Sequence, residues 1–101
     1  MKVLDQTTLS EMEALPKVLV EFSAPWCMYC KRLGPTMKVV EQGHPDLPMY
    51  ECNIDDMESY SDAKGIDTIP TLMLFSHGQT KASIVNPSSK ATIDQWLKDN
   101  Q

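Results

Sequence analysis

Apolar positions along the chain fall into two rhythms. Val18-Leu19-Val20-Glu21-Phe22 and Thr71-Leu72-Met73-Leu74-Phe75 are short, nearly unbroken apolar runs, the pattern of strands covered on both faces. Met49-Tyr50-Glu51-Cys52-Asn53-Ile54 alternates enough to form another strand, and residues 1–4 read as a short opening one. Between these runs the period lengthens. Thr8 and Glu11 stand in capping-box spacing, and Leu9, Met12 and Leu15 recur every third residue, which predicts a short helix ending at Pro16. From Cys30 onward, Leu33, Met37 and Val40 share one helical face, with Pro35 inside the period and expected to kink it. Met57, Tyr60 and Ala63 predict a third helix that Gly65 ends. His77-Gly78 reads as a hairpin turn into a strand over about Thr80 to Val85, and Ser88 or Ser89 caps a last helix with Ile93, Trp96 and Leu97 inside. The order is β-α-β-α-β-α-β-β-α. An α/β fold is expected, one domain over residues 1–101, with a central mixed sheet and helices on both faces.

Composition narrows the function classes. The net charge is −5 and the cations are scattered, Lys31-Arg32 being the only adjacent pair, a poor footprint for nucleic acid or an anionic membrane surface. The apolar runs are far too short to span a bilayer. Met1 to Asp5 carries two charges and no apolar secretory segment follows. Three cysteines, an odd number, argue against the closed disulfide framework of a secreted domain. A reducing, cytoplasmic setting and a monomer are expected.

Cys27-Met28-Tyr29-Cys30 lies where a buried strand gives way to a helix. Two intervening residues put the sulfurs one helical turn apart, within reach of a Cys27–Cys30 disulfide. Cys27 meets unpaired backbone N–H groups and the positive end of the helix dipole, both of which favour the nucleophilic thiolate. Lys31 adds a nearby positive charge. Cys30, inside the first turn, is less accessible and suited to resolving a mixed disulfide.

The stretch Val20-Glu21-Phe22-Ser23-Ala24-Pro25-Trp26-Cys27-Met28-Tyr29-Cys30-Lys31 resembles the V-[DE]-F-x-A-x-W-C-x-x-C-K signature of the thioredoxin superfamily. Pro35 falls at that family's helix proline, and Gly65-Ile66-Asp67-Thr68-Ile69-Pro70-Thr71 resembles its G-[IV]-x-x-x-P-T segment, continued by Phe75 and Gly78. The likeness runs from about Val18 to the C-terminus. It implies a thioredoxin fold, a cis Pro70 beside the dithiol, and an Ile69 backbone turned toward an extended peptide. Trp26, Thr68, Ile69, Pro70 and Asn86 then frame the docking surface. The implied activity is general protein-disulfide reduction. Cys27 attacks a substrate disulfide, Cys30 resolves the mixed disulfide, and a reductase or low-molecular-weight thiol outside the chain resets the pair, with no bound cofactor.

Several residues depart from the family pattern. Glu21 matches its buried carboxylate, a candidate to take the Cys30 proton. The lysine the family commonly sets near that carboxylate is Glu51 by register, and two carboxylates without a cation should raise the apparent pKa of the pair. Met28-Tyr29 matches neither the Gly-Pro of typical thioredoxins nor the Gly-His of protein disulfide isomerase domains. The missing histidine favours a reductant. Ser23, Thr68 and Asn86 replace Trp and Gly residues of the usual docking surface.

Plainer readings stand beside these. A zinc site wants four ligands, and Cys52, His44 and His77 offer no second paired spacing, so no metal is expected. Cys52 reads as a buried inert thiol, the two histidines as solvated loop residues, Trp96 as core, and Tyr50 and Tyr60 as packing or rim residues. A disulfide oxidase or isomerase, if the chain is exported, and a non-catalytic binding module are the rival functions.

Overall fold

A computed structural model describes all of residues 1–101. The elements run β1 (Lys2–Val3), α1 (Leu9–Glu13), β2 (Val18–Ser23), α2 (Met28–Gly43), β3 (Met49–Asn53), α3 (Glu58–Ala63), β4 (Thr71–Ser76), β5 (Gln79–Val85) and α4 (Lys90–Asp99). The strands form one sheet in the order β1-β3-β2-β4-β5. β3 lies parallel to β1 and β2, whereas β4 runs antiparallel to both β2 and β5. This is the expected mixed sheet.

Side-chain alternation sorts the apolar runs into two cores. Val18, Val20, Phe22, Met73 and Phe75 point to one face, where they meet Leu4, Met12, Tyr50, Cys52 and Met57. Leu19, Leu72 and Leu74 point to the other and pack on Leu33, Met37 and Val40 of α2 and Ile93 and Leu97 of α4. Glu21 shares the parity of Leu19, so a carboxylate enters the face beneath α2. Trp96 lies only partly buried at the margin of that second core.

The chain ends its elements by distinct local means. Gly65 adopts φ +74° after α3, a conformation that costs a side-chain-bearing residue energy. His77 and Gly78 both take positive φ in the β4–β5 turn, as a tight hairpin requires. Ser89 caps α4 by accepting from the Thr92 N–H at 3.2 Å. α2 continues through Pro35 as one helix, although the proline ring denies the Lys31 carbonyl its intrahelical partner.

Two local expectations are corrected. Thr8 and Glu11 form no capping box. Asp5 accepts from the Thr7 and Thr8 N–H groups, Thr8 Oγ1 donates to the Val3 carbonyl, and Glu11 is drawn away to Tyr50 and Lys2. The Asp5 carboxylate takes the Thr8 N–H, and the Thr8 hydroxyl turns back to Val3 and Asp5, so neither bond of a box forms. His44 is half-buried and joins the end of α2 to Asp94 of α4 at 2.9 Å, a partner fifty residues away that no local pattern announces.

Candidate active site

β2 delivers the chain to Ala24-Pro25-Trp26, and Cys27 sits at the N-cap of α2 with extended backbone (φ −89°, ψ 114°). An N-cap side chain normally offers oxygen to the N–H groups of the first turn. Here sulfur takes that place: Cys27 Sγ accepts from the Cys30 N–H at 3.2 Å. The Cys27 carbonyl accepts the first helical bond, from Lys31 N–H. Both cysteines are unbonded thiols. They form a small buried cluster with Ala24, against which Ile54 and Ile69 pack.

Cys27 and Cys30 are 5% and 7% exposed, so Cys30 is not the less accessible of the two as its place in the first turn suggests, and their electrostatic surroundings are what separate them. Burial, followed by its hydrogen bond to Cys27, pushes the Cys30 thiol up to about 12. Cys30 therefore holds its proton at neutral pH, and a partner must remove it before it can act as a nucleophile. Cys27 instead receives a backbone N–H and lies at the positive end of a 16-residue helix.

The loop that enters β4, the strand paired with β2, lies beside Cys27. The Ile69–Pro70 peptide bond is cis, and the Ile69 carbonyl lies 3.9 Å from Cys27 Sγ. Thr71 Oγ1 donates to the Thr68 carbonyl, and Asn86, at φ +46°, donates its N–H to the Pro70 carbonyl at 2.8 Å. Asn is among the few side-chain-bearing residues that tolerate this backbone region. Thr68 and Asn86 are exposed and Ile69 is half-buried.

Trp26 stands 65% exposed beside Cys27, and its Nε1–H donates to Asp55 Oδ2 at 2.8 Å. Sequence reasoning missed Asp55. Its signal was Asn53, whose side chain accepts from the Asp55 N–H at 2.9 Å and forms the local turn that Asn favours. Met28 and Tyr29 are also exposed, and the Arg32 guanidinium lies 5.6 Å from the centre of the Tyr29 ring. Together with Trp26 they give the dithiol an apolar rim. Lys31 is exposed and lines the pocket beside Cys30.

Glu21 lies under α2 in the same pocket as Cys30. Burial, and secondarily the charge of Glu51, pushes its carboxyl up to about 7. Cys52 is fully buried, with burial raising its thiol to about 11. Tyr50 donates to Glu11 from within the core, and Tyr60 stacks on Phe22 at 6.2 Å.

A family model described as Thioredoxin matches residues 3–99. Thioredoxin 1 of Synechococcus elongatus is 36% identical over 97 residues, covering 94% of this chain and 91% of that one. Thioredoxin-1 of Saccharomyces cerevisiae is 29% identical over 83 residues, 82% of this chain and 79% of that one. Two solved structures share the fold. A mutant thioredoxin from Halobacterium salinarum superposes with a TM-score of 0.86 over 99% of this chain and 88% of that one, at 24% identity. Plasmodium falciparum thioredoxin gives 0.88 over the whole of both chains at 17% identity. A match across nearly the whole domain, joined to a dithiol at the head of a helix, leads to one conclusion: the chain belongs to the thioredoxin family of thiol–disulfide oxidoreductases.

Proposed function

Thiol–disulfide exchange comes with the family; we propose how this chain divides the work and in which direction it runs. Cys27 is the nucleophile, Cys30 the resolving thiol and Glu21 the base that takes the Cys30 proton. The chain acts as a general protein-disulfide reductase. The hydrogen bond from Cys30 N–H to Cys27 Sγ carries this reading, because a backbone donor at a helix start stabilises the sulfur anion that attacks.

Cys27 thiolate attacks a substrate disulfide, forming a mixed disulfide and releasing one substrate thiolate, which takes a proton from water. Cys30 then loses its proton to Glu21 and attacks Cys27, freeing the second substrate sulfur and leaving Cys27–Cys30 oxidised. Ile69 offers its backbone to an extended substrate segment, in the manner of strand addition. Trp26, Met28, Tyr29, Thr68 and Asn86 frame the contact. Met28, Tyr29 and Lys31 also tune the dithiol, and the absence of a histidine between the cysteines keeps it reducing. Substrates are disulfide-bearing proteins met in a reducing, cytoplasmic compartment by a monomer. A flavoprotein reductase or a small thiol returns the electrons.

The dithiol–disulfide potential, measured against a glutathione buffer, tests the direction. A value on the reducing side of that couple supports the reductase. A strongly oxidising value, on the order of −120 mV, would assign disulfide formation instead.

A further inference from the structure

Two carboxylates, with no cation paired between them, stand on the sheet face beneath α2. Glu21 and Glu51 are register partners in parallel strands, whose backbones lie about 4.8 Å apart, and are directed to the same face. Leu19 and Met49, one step back on that face, belong to the core under α2. Glu21 is 6% exposed, and the ion pairs Met1–Glu41, Lys2–Glu11, His44–Asp94 and Lys90–Asp94 all leave it out. Glu51 is exposed. Both line a pocket of about 440 Å³ that also takes in Cys30, and both line a second depression beside Pro35, Lys38 and Glu41. A proton arriving at Glu21 from the dithiol thus has a solvent-facing carboxylate as its next neighbour.

We propose that Glu51 is the solvent-side member of a two-carboxylate relay, carrying to water the proton that Glu21 takes from Cys30. This rests on the role given to Glu21 above. In the resolving step the Cys30 S–H bond breaks and its proton passes to Glu21. The sulfur's electron pair forms the bond to Cys27 while the Cys27–substrate S–S bond breaks, and the departing substrate sulfur keeps that bond's electrons and is protonated by water. Glu21 then passes its proton to Glu51, which releases it to solvent, and the pair regains its starting charge. Water in the shared pocket is the natural bridge, since Ser23, Asn53 and Asp56 on its wall offer hydrogen-bond partners.

The Glu51 charge opposes ionisation of Glu21, whereas a lysine at position 51 would favour the anion. The other ionisable groups facing Glu21 are Cys30, Lys31, Lys38 and Glu41 of α2 and Asp56 after β3. Lys31 and Lys38 are exposed, and Glu41 is held by the Met1 amino group at 2.8 Å. Among charged neighbours, Glu51 is the one that acts on Glu21.

Stopped-flow oxidation of the reduced protein by a small aromatic disulfide, followed through Trp26 fluorescence, separates the two steps. The first phase scales with disulfide concentration; the second, attack by Cys30, does not. Measured from about pH 5.5 to about pH 9, Glu51→Gln should slow the second phase near neutrality on the order of tenfold, and Glu51→Asp should restore most of it. Glu51→Lys should move the pH midpoint toward acid without restoring the rate, since an ammonium cannot accept the proton. A Glu51→Gln second phase equal to wild type in rate and midpoint overturns the relay, as does a slowing that Glu51→Asp fails to lift. Glu21→Gln keeps the two readings apart. If it slows the second phase while Glu51→Gln does not, only the relay fails; if it leaves that phase unchanged, the role of Glu21 fails too.

Discussion

Replacing Glu21 by Gln should make the protein more stable, and by an amount that grows with pH. The carboxyl is raised from its ordinary 4.5 to about 7, first by burial and then by Glu51. Below pH 4.5 it is protonated in both the native and unfolded chains, and its favourable contribution is fully present. Between 4.5 and about 7 the unfolded chain releases the proton while the native chain keeps it, so stability falls as pH rises. Above about 7 the native chain holds a buried anion and the loss is complete. At about 1.4 kcal/mol per pH unit, the interval corresponds to about 3 kcal/mol. Gln keeps the shape of the protonated acid and cannot ionise. Urea unfolding of both proteins at several pH values should therefore give a Glu21→Gln minus wild-type difference that climbs by about 2–3 kcal/mol between pH 4.5 and pH 8. Asp5, Glu11 and Asp94, whose carboxyls are lowered, act in the opposite sense, but they are common to both proteins and cancel. A difference that stays flat across this range would refute the assignment of Glu21 as a buried, unpaired acid.

Three further outcomes follow from the packing and the turns. Phe22→Ala empties a fully buried site in the core that faces α1 and α3 and should cost about 3–5 kcal/mol in urea unfolding. Gly65→Ala meets no atom within 4 Å, so its loss of about 1 kcal/mol should come from the backbone at φ +74° alone, and Gly65→Asn should lose less. Asp94 is held below its ordinary range by Lys90 first and then His44. Its contribution is present above the unfolded-state value and disappears as pH falls through the lowered one. Because both partners are partly exposed, Asp94→Asn should cost under about 1 kcal/mol at neutral pH and nothing measurable in strong acid.

The sheet was legible because its strands are signalled by runs such as Val18–Phe22 and Thr71–Phe75, which the fold buries almost completely. The dithiol was legible for a related reason: a strand running directly into a helix leaves few places for Cys27 other than the cap. Glu51 beside Glu21 was reachable from strand register once the fold was assumed. What escaped was set by side chains reaching across the chain. Asp55 meets Trp26, and Asp94 meets His44, through contacts 29 and 50 residues apart, and neither leaves a periodic trace. At Thr8, two rules competed locally, and the Asp5 carboxylate took the Thr8 N–H that a capping box would use.

Alkylation by iodoacetamide, read by mass spectrometry at each cysteine across a pH series, bears most directly on whether a helix start sets the reactivity of one sulfur. At neutral pH position 27 should be modified faster than free cysteine, while position 30 stays intact in the same samples. A rate at Cys27 no faster than that of free cysteine, or prior modification of Cys30, would contradict the account.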